Sequence, residues 1–160
     1  MSTRPKPLPF SETLPILLLR ARRAVTDHFR PAFQAYGVTE QQWRVLRVVS
    51  EVVEIEMTSL AEGVFLSAPS LSRIVRDLIG RGLLRRRTGE QDQRLGLVSI
   101  TTAGVDLIHR IAPGAFAAMD EVNRRYGPER MARIRQLLLE LEDAMLDAPA
   151  AKARARRPDA

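Results

Sequence analysis

Cysteine is absent from all 160 residues, which removes disulfides, thiolate metal ligands, cysteine nucleophiles and thiol redox sensing in one step. Histidine is almost absent: His28 and His109 stand alone and far apart, so no metal cluster is expected. No apolar run approaches the roughly eighteen residues of a membrane helix. The opening MSTRPKPLPF also lacks the apolar core and small-residue cleavage site of a secretory signal. These absences point to a cytoplasmic chain without a membrane partner. There is no glycine-rich phosphate loop, no paired histidine and no glycine-flanked serine, and SAPS has no general base near it in sequence. The expectation is therefore no enzyme, no catalytic residue, no metal and no cofactor.

Lysine is scarce as well, with only Lys6 and Lys152, so the excess of 25 basic over 19 acidic residues is carried by arginine. A net charge of +6 suits a polyanionic partner. Arginine-rich composition alone has a blander source in a genome rich in G and C, so the placement of the charge must decide. Between Leu66 and Thr101 seven arginines face three acids, whereas Glu51 to Glu62 holds four glutamates and no base. The positive charge is focused on one stretch.

The organisation is helical. Residues 1–10, with Pro5, Pro7 and Pro9, read as a disordered arm. A helix from Ser11 to Tyr36 carries Leu18, Val25, Phe29 and Tyr36 on one stripe; Pro31 should bend or interrupt it, and Gly37 end it. At VTEQQW a second helix opens, with Thr39 as N-cap, Gln42 reaching back, and Val38 with Trp43 as a hydrophobic staple; its apolar residues continue through Leu46, Val49 and Val53. A short helix over Ser59 to Val64 and a second from Pro69 to Arg81, stopped by Gly82, flank the break SAPS. LLRRR and LGLVSIT, separated by a polar stretch, read as a hairpin. Helices from Thr102 to Tyr126, interrupted at Pro113-Gly114, and from Pro128 to Leu146 follow, then a basic disordered tail at 148–160.

A short helix, a tight turn and a helix that begins with small hydroxyl residues make a helix-turn-helix, whose second helix reads the major groove. Ser70, Ser72 and Arg73 are the expected base-reading residues, because serine hydroxyls donate or accept and arginine binds guanine bidentately. Leu71, Ile74, Val75 and Leu78 form the opposing apolar stripe, and Arg76 and Arg81 suit phosphate contacts. The hairpin supplies a wing whose DNA-binding residues are expected to be Arg87 in its first strand, Arg94 as the minor-groove insertion, and Asp92, which pairs with Arg94 to hold the tip. The fold expected is mainly α with a small β-hairpin wing. Arg22, on the stripe of Leu18, Val25 and Phe29, places a charge in a largely apolar setting and requires a partner, either a protein carboxylate or a bound aromatic carboxylate. His28 and Trp43 are candidates to complete that pocket, although exposure and a pure packing role are open for them.

VTEQQWRVLRVV, LSAPSLSRIVRDLIGRGLLRRR, DQRLGLVSIT and the following TAG resemble the MarR family of winged-helix regulators. Leu18 to Pro31 is similar to the first helix of the regulators of homoprotocatechuate and related aromatic-acid operons. The resemblance spans about Leu14 to Leu146. It implies an obligate homodimer in which segment 11–36 and helices 102–147 interlock, while lobe 37–101 reads double-stranded DNA at a palindromic operator, with half-sites roughly 34 Å apart. It further implies a repressor of aromatic catabolism, released by a small aromatic carboxylate. The competing reading is a ligand-independent winged-helix architectural or constitutive DNA binder. The chain departs from the family at Ile79, where members commonly carry an acid, and at Pro113-Gly114 inside the fifth helix.

Overall fold

The computed structural model describes residues 8–88 and 96–146. In chain order, after a 3-10 turn at Phe10–Glu12, the elements are α1 (Leu14–Gln34), α2 (Glu40–Ser50), β1 (Ile55–Glu56), α3 (Met57–Gly63), α4 (Ala68–Gly80), β2 (Leu84–Thr88), β3 (Gly96–Ile100), α5 (Thr102–Tyr126) and α6 (Pro128–Leu146). The first compact unit runs to Met119 and the second begins at Asp120, so the boundary falls inside α5.

In the first unit the helix ends are set by short-range chemistry. α1 closes on Gly37 at φ +62°, where the Val38 N–H donates to the Phe33 carbonyl and the Gly37 N–H to that of Gln34. This is the double bond of a Schellman cap, and buried Val38 and Phe33 supply its apolar contact. α4 closes in the same way on Gly82 at φ +71°, with the Leu83 and Gly82 N–H groups donating to the Leu78 and Ile79 carbonyls. α2 opens with the expected capping box: the Gln42 N–H donates to Thr39 Oγ1 at 3.2 Å, and the Thr39 N–H to Gln42 Oε1 at 2.8 Å. Thr101 joins sheet to α5, because its hydroxyl donates to the Gly82 carbonyl and accepts from the Gly104 N–H.

The core sits between these helices. Val45, Leu46 and Val49 of α2, Leu60 and Val64, Leu71, Val75 and Leu78 of α4, Val98, and Leu107, Ile108 and Ile111 of α5 are all buried, as are Phe33 and Leu84. The α4 stripe thus faces inward as its spacing predicts, with Ile74 and Ile79 half-buried against the same cluster.

Three expectations are corrected and one, the wing, is extended. α1 starts at Leu14 rather than Ser11 and runs through Pro31 to Gln34. α5 likewise runs unbroken through Pro113. In both, packing on either side of the proline outweighs the one lost amide donor: Phe29 and Phe33 flank Pro31, and Ile111 and Ala115 flank Pro113, all against the core. α2 stops at Ser50, leaving Val53 exposed instead of continuing the stripe. The wing is a sheet of three strands, order β1-β3-β2, because Ile55 and Glu56 pair antiparallel with Val98 and Leu97. The expected β2 and β3 hairpin is present, in register from Leu84↔Ile100 to Thr88↔Gly96.

The second unit contains the end of α5 and α6. Glu121 pairs with both Arg124 and Arg125, and Gly127 at φ +96° makes the turn into α6. No residue of α6 is fully buried: Met131, Ile134 and Leu141 are half-buried, and Leu137, Leu138, Leu139, Met145 and Leu146 are exposed.

Candidate nucleic-acid interface and effector pocket

Ser70 and Arg73 on α4 are exposed, Ser72 is half-buried and Arg76 is exposed, so the helix turns its polar residues outward while Leu71, Val75 and Leu78 fix it from behind. Ser67 stands at the N-cap position without capping; its hydroxyl donates to Ser70 Oγ at 2.9 Å. Arg81 is held rather than extended, since its Nη1 donates to the Gly37 carbonyl at 3.1 Å and lies 3.9 Å from Asp77. Asp77 in turn accepts from Gln42 Nε2 at 2.7 Å. The C-terminal half of α4 is thus tied to the α1–α2 junction by polar groups as well as by its apolar stripe.

The wing arginines divide by strand alternation. Arg85 Nε donates to buried Ser99 at 2.8 Å, while Arg87 makes a two-bond fork to Glu54 at 2.7 and 2.5 Å. That fork holds the Glu54 carboxyl below its ordinary value, chiefly through the hydrogen bond from Arg87; desolvation opposes it next, and the charges of Arg87 and then Arg85 add smaller lowering effects. Arg86 lies over Gly96, where any Cβ would land on its guanidinium. Asp92 and Arg94 lie outside the described residues.

Within the same first unit a cavity of about 460 Å³ opens between α1 and the start of α2, lined among others by Arg22, Arg30, Phe33, Val38 and Glu40. Three arginines line it (Arg22, Arg23, Arg30) against two carboxylates (Asp27, Glu40), so its lining is net positive. Arg22 is not in the apolar setting expected of it: its side chain is 55% exposed and its Nη2 sits 3.3 Å from both Glu40 oxygens. The apolar stripe of α1 explains the difference. Only its C-terminal part, with Phe29 and Tyr36, packs on the core, whereas Leu18 and Val25 are exposed. His28 is exposed and does not line the cavity. Trp43 is half-buried and does not line the cavity; it stacks on the lining residue Phe33 at 5.4 Å between ring centroids, and the Arg47 guanidinium lies over its ring at 6.0 Å. Sequence reasoning missed Arg30, Glu40 and Arg47 as neighbours of this pocket. The spacing of Glu40 and Arg47 from Arg22 carries no signal, because they come from α2 and only the meeting of the two helices brings them in, whereas Arg30 lies two turns on in α1 itself.

A family model described as MarR family matches residues 36–95, the span from the α1 cap to the residue before β3. The homoprotocatechuate degradative operon repressor of Escherichia coli is 32% identical over 129 residues, covering 81% of this chain and 87% of that protein. This chain belongs to the MarR family. Among solved structures of the family, the transcriptional regulator PA4135 superposes with a TM-score of 0.78 at 32% identity, covering 82% of this chain and 96% of the other. NadR in complex with 4-hydroxyphenylacetate gives 0.70 at 30% identity, with 88% and 97% covered. The chain is thus a winged-helix MarR transcriptional regulator, mostly helical with a small antiparallel sheet.

Proposed function

We propose that the chain is a cytoplasmic homodimeric repressor of an aromatic-compound catabolic operon, released from a palindromic operator by a phenolic or aromatic carboxylate. The observation that carries this reading is the arginine-lined cavity between α1 and α2, in the same compact unit as the α4 surface. Its volume lies in the range of small-ligand sites, and its net positive lining favours an anion. The E. coli repressor named for homoprotocatechuate degradation and the 4-hydroxyphenylacetate complex of NadR support the same ligand class. Arg22 binds the carboxylate, Trp43 stiffens the wall through Phe33, and His28 reaches the ligand only if the dimer brings it there.

On DNA, Ser70, Ser72 and Arg73 read base edges while Arg76, Arg81 and Arg87 serve phosphates; for Arg81 and Arg87 this means sharing donors now given to Gly37 and Glu54. Arg94 enters the minor groove, and Asp92 braces it. The exposed leucines of α1 and of α6 are the surfaces for a second copy. No helix of the described residues is long and apolar enough to cross a membrane.

The test is fluorescence anisotropy on the chain's own upstream DNA against excess random duplex, with and without hydroxylated phenylacetic, benzoic and cinnamic acids. Competitor-resistant binding released by one acid is expected, and calorimetry should lose that acid in Arg22→Ala. The Arg22–Glu40 pair favours a second reading, a ligand-independent DNA binder in which Arg22 is purely structural. Binding abolished by random DNA and unmoved by every acid would establish that reading instead.

A further inference from the structure

Glu40 has two arginines and satisfies neither well. It lies 3.3 Å from Arg22 Nη2 through each oxygen, and its Oε1 lies 3.0 Å from Arg44 Nε. Yet Arg44 Nε is buried and makes no hydrogen bond among the described residues, because the close approach to Glu40 is not aligned for one. A buried donor left unmade is costly, and a small rotation of the carboxylate would meet it. The other end of the same guanidinium is anchored: Arg44 Nη1 donates at 2.7 Å to the Val64 carbonyl. Val64 is the residue after α3, in the turn that leads through Phe65 to α4.

We infer that Glu40 is a shared carboxylate that holds the ligand's place on Arg22 and thereby selects the ligand: an entrant must bring a carboxylate of its own, and the displaced Glu40 turns to the unmet Arg44 Nε–H. This deepens the effector reading and rests on it for the identity of the entrant. In the exchange one carboxylate replaces another on the Arg22 guanidinium and Glu40 stays ionised on Arg44, so no proton need move, and the one negative charge the entrant adds meets a net positive lining. A neutral phenol or amide cannot make it, because it would leave Glu40 paired and gain no guanidinium. Arg44 is then a positioning residue: the bond it gains at Nε stiffens the side chain that holds the Val64 carbonyl, and so the turn before the reading helix.

Two measurements on the full-length protein separate this inference from the reading beneath it. The first is the side-chain Nε–H resonance of Arg44, assigned by its disappearance in Arg44→Lys. In Arg22→Ala without any acid, Glu40 is released to Arg44 and that resonance moves downfield; a resonance that stays where it is in the wild type overturns the shared carboxylate whatever acids do. The second is calorimetry with 4-hydroxyphenylacetate and its amide. Glu40→Gln should bind the acid about fivefold more tightly, the competing ion pair being gone, and wild type should ignore the amide. Unchanged or weaker acid binding in Glu40→Gln refutes the placeholder role. If the Arg22→Ala resonance moves while the acid binds neither wild type nor Glu40→Gln, the shared carboxylate stands and the aromatic-acid reading falls.

Discussion

Phe65 is the one described non-glycine residue with positive φ, at +52°, and its ring is 81% exposed. It occupies the left-handed position of a Schellman cap on α3, where the Leu66 N–H donates to the Ala61 carbonyl. Glycine takes that position freely, whereas a side chain there costs about 1–2 kcal/mol, part of which glycine returns as unfolded-chain entropy. Phe65→Gly should therefore stabilise the fold by roughly 0.5–1 kcal/mol, read as a higher urea midpoint at unchanged slope. A lowered midpoint would mean that the ring is covered by something in solution. At the same scale, the Arg87 fork depresses the Glu54 pKa below 4.5. A depressed carboxyl stabilises the fold above its unfolded value, and that contribution disappears as pH falls below about 4.5 and through the lower folded value. Glu54→Gln should flatten the acid limb of a thermal-midpoint profile below about pH 4.5, by a modest amount because the pair is solvent-screened. A limb of wild-type steepness would assign the acid sensitivity elsewhere.

Elements whose ends are written in adjacent residues are legible in the amino-acid sequence alone. Thr39 with Gln42 spells a capping box, Gly37 and Gly82 spell caps, and the spacing of Leu71, Val75 and Leu78 sets the buried face of α4. What escapes depends on distant partners. β1 is two residues long, too short for alternation to register, and exists only because β3 lies beside it. Pro31 and Pro113 read as breaks because sequence shows the lost donor and hides the packing that overrides it. The need of Arg22 for a partner is evident from its stripe, but Glu40, eighteen residues on, is invisible there, as is the bond from Gln42 to Asp77 across thirty-five. The glycine of TAG is a related case: nothing local demands it, yet a Cβ on Gly104 would strike the Leu83 carbonyl and Ile100 at the junction of sheet and α5. Gly104→Ala should cost about 1–3 kcal/mol, because the obstacle is backbone tied down by Thr101 and cannot yield as a side-chain tip would. Calorimetric unfolding reads it, and a loss below about 0.5 kcal/mol would show that α5 slides away freely.

For the whole molecule, the exposed apolar residues are not scattered. They concentrate on α1, at Leu14, Leu17, Leu18 and Leu19, and on α6, at Leu137, Leu138, Leu139, Met145 and Leu146, the two segments that the family resemblance assigns to dimerisation. Exposed leucine at such density is costly in water and has an obvious use in a second copy of the chain. If the chain reads a palindrome, each copy brings one α4 and the second half-site is bound at the high effective concentration that the first creates. Breaking the dimer must then cost far more affinity than removing one DNA contact. Leu18→Asp with Leu138→Asp should shift the sedimentation mass from dimer to monomer and weaken operator binding by about a hundredfold or more. Arg73→Ala in the intact dimer should instead cost about 1–3 kcal/mol per half-site and relax preference at the base it reads. Arg94→Ala should weaken all duplexes alike and lower the salt slope by about one per wing. A double leucine variant that stays dimeric would move the interface off these helices. A variant that becomes monomeric yet holds the operator as tightly as wild type would mean that a single lobe suffices, and the palindromic operator would have to be abandoned.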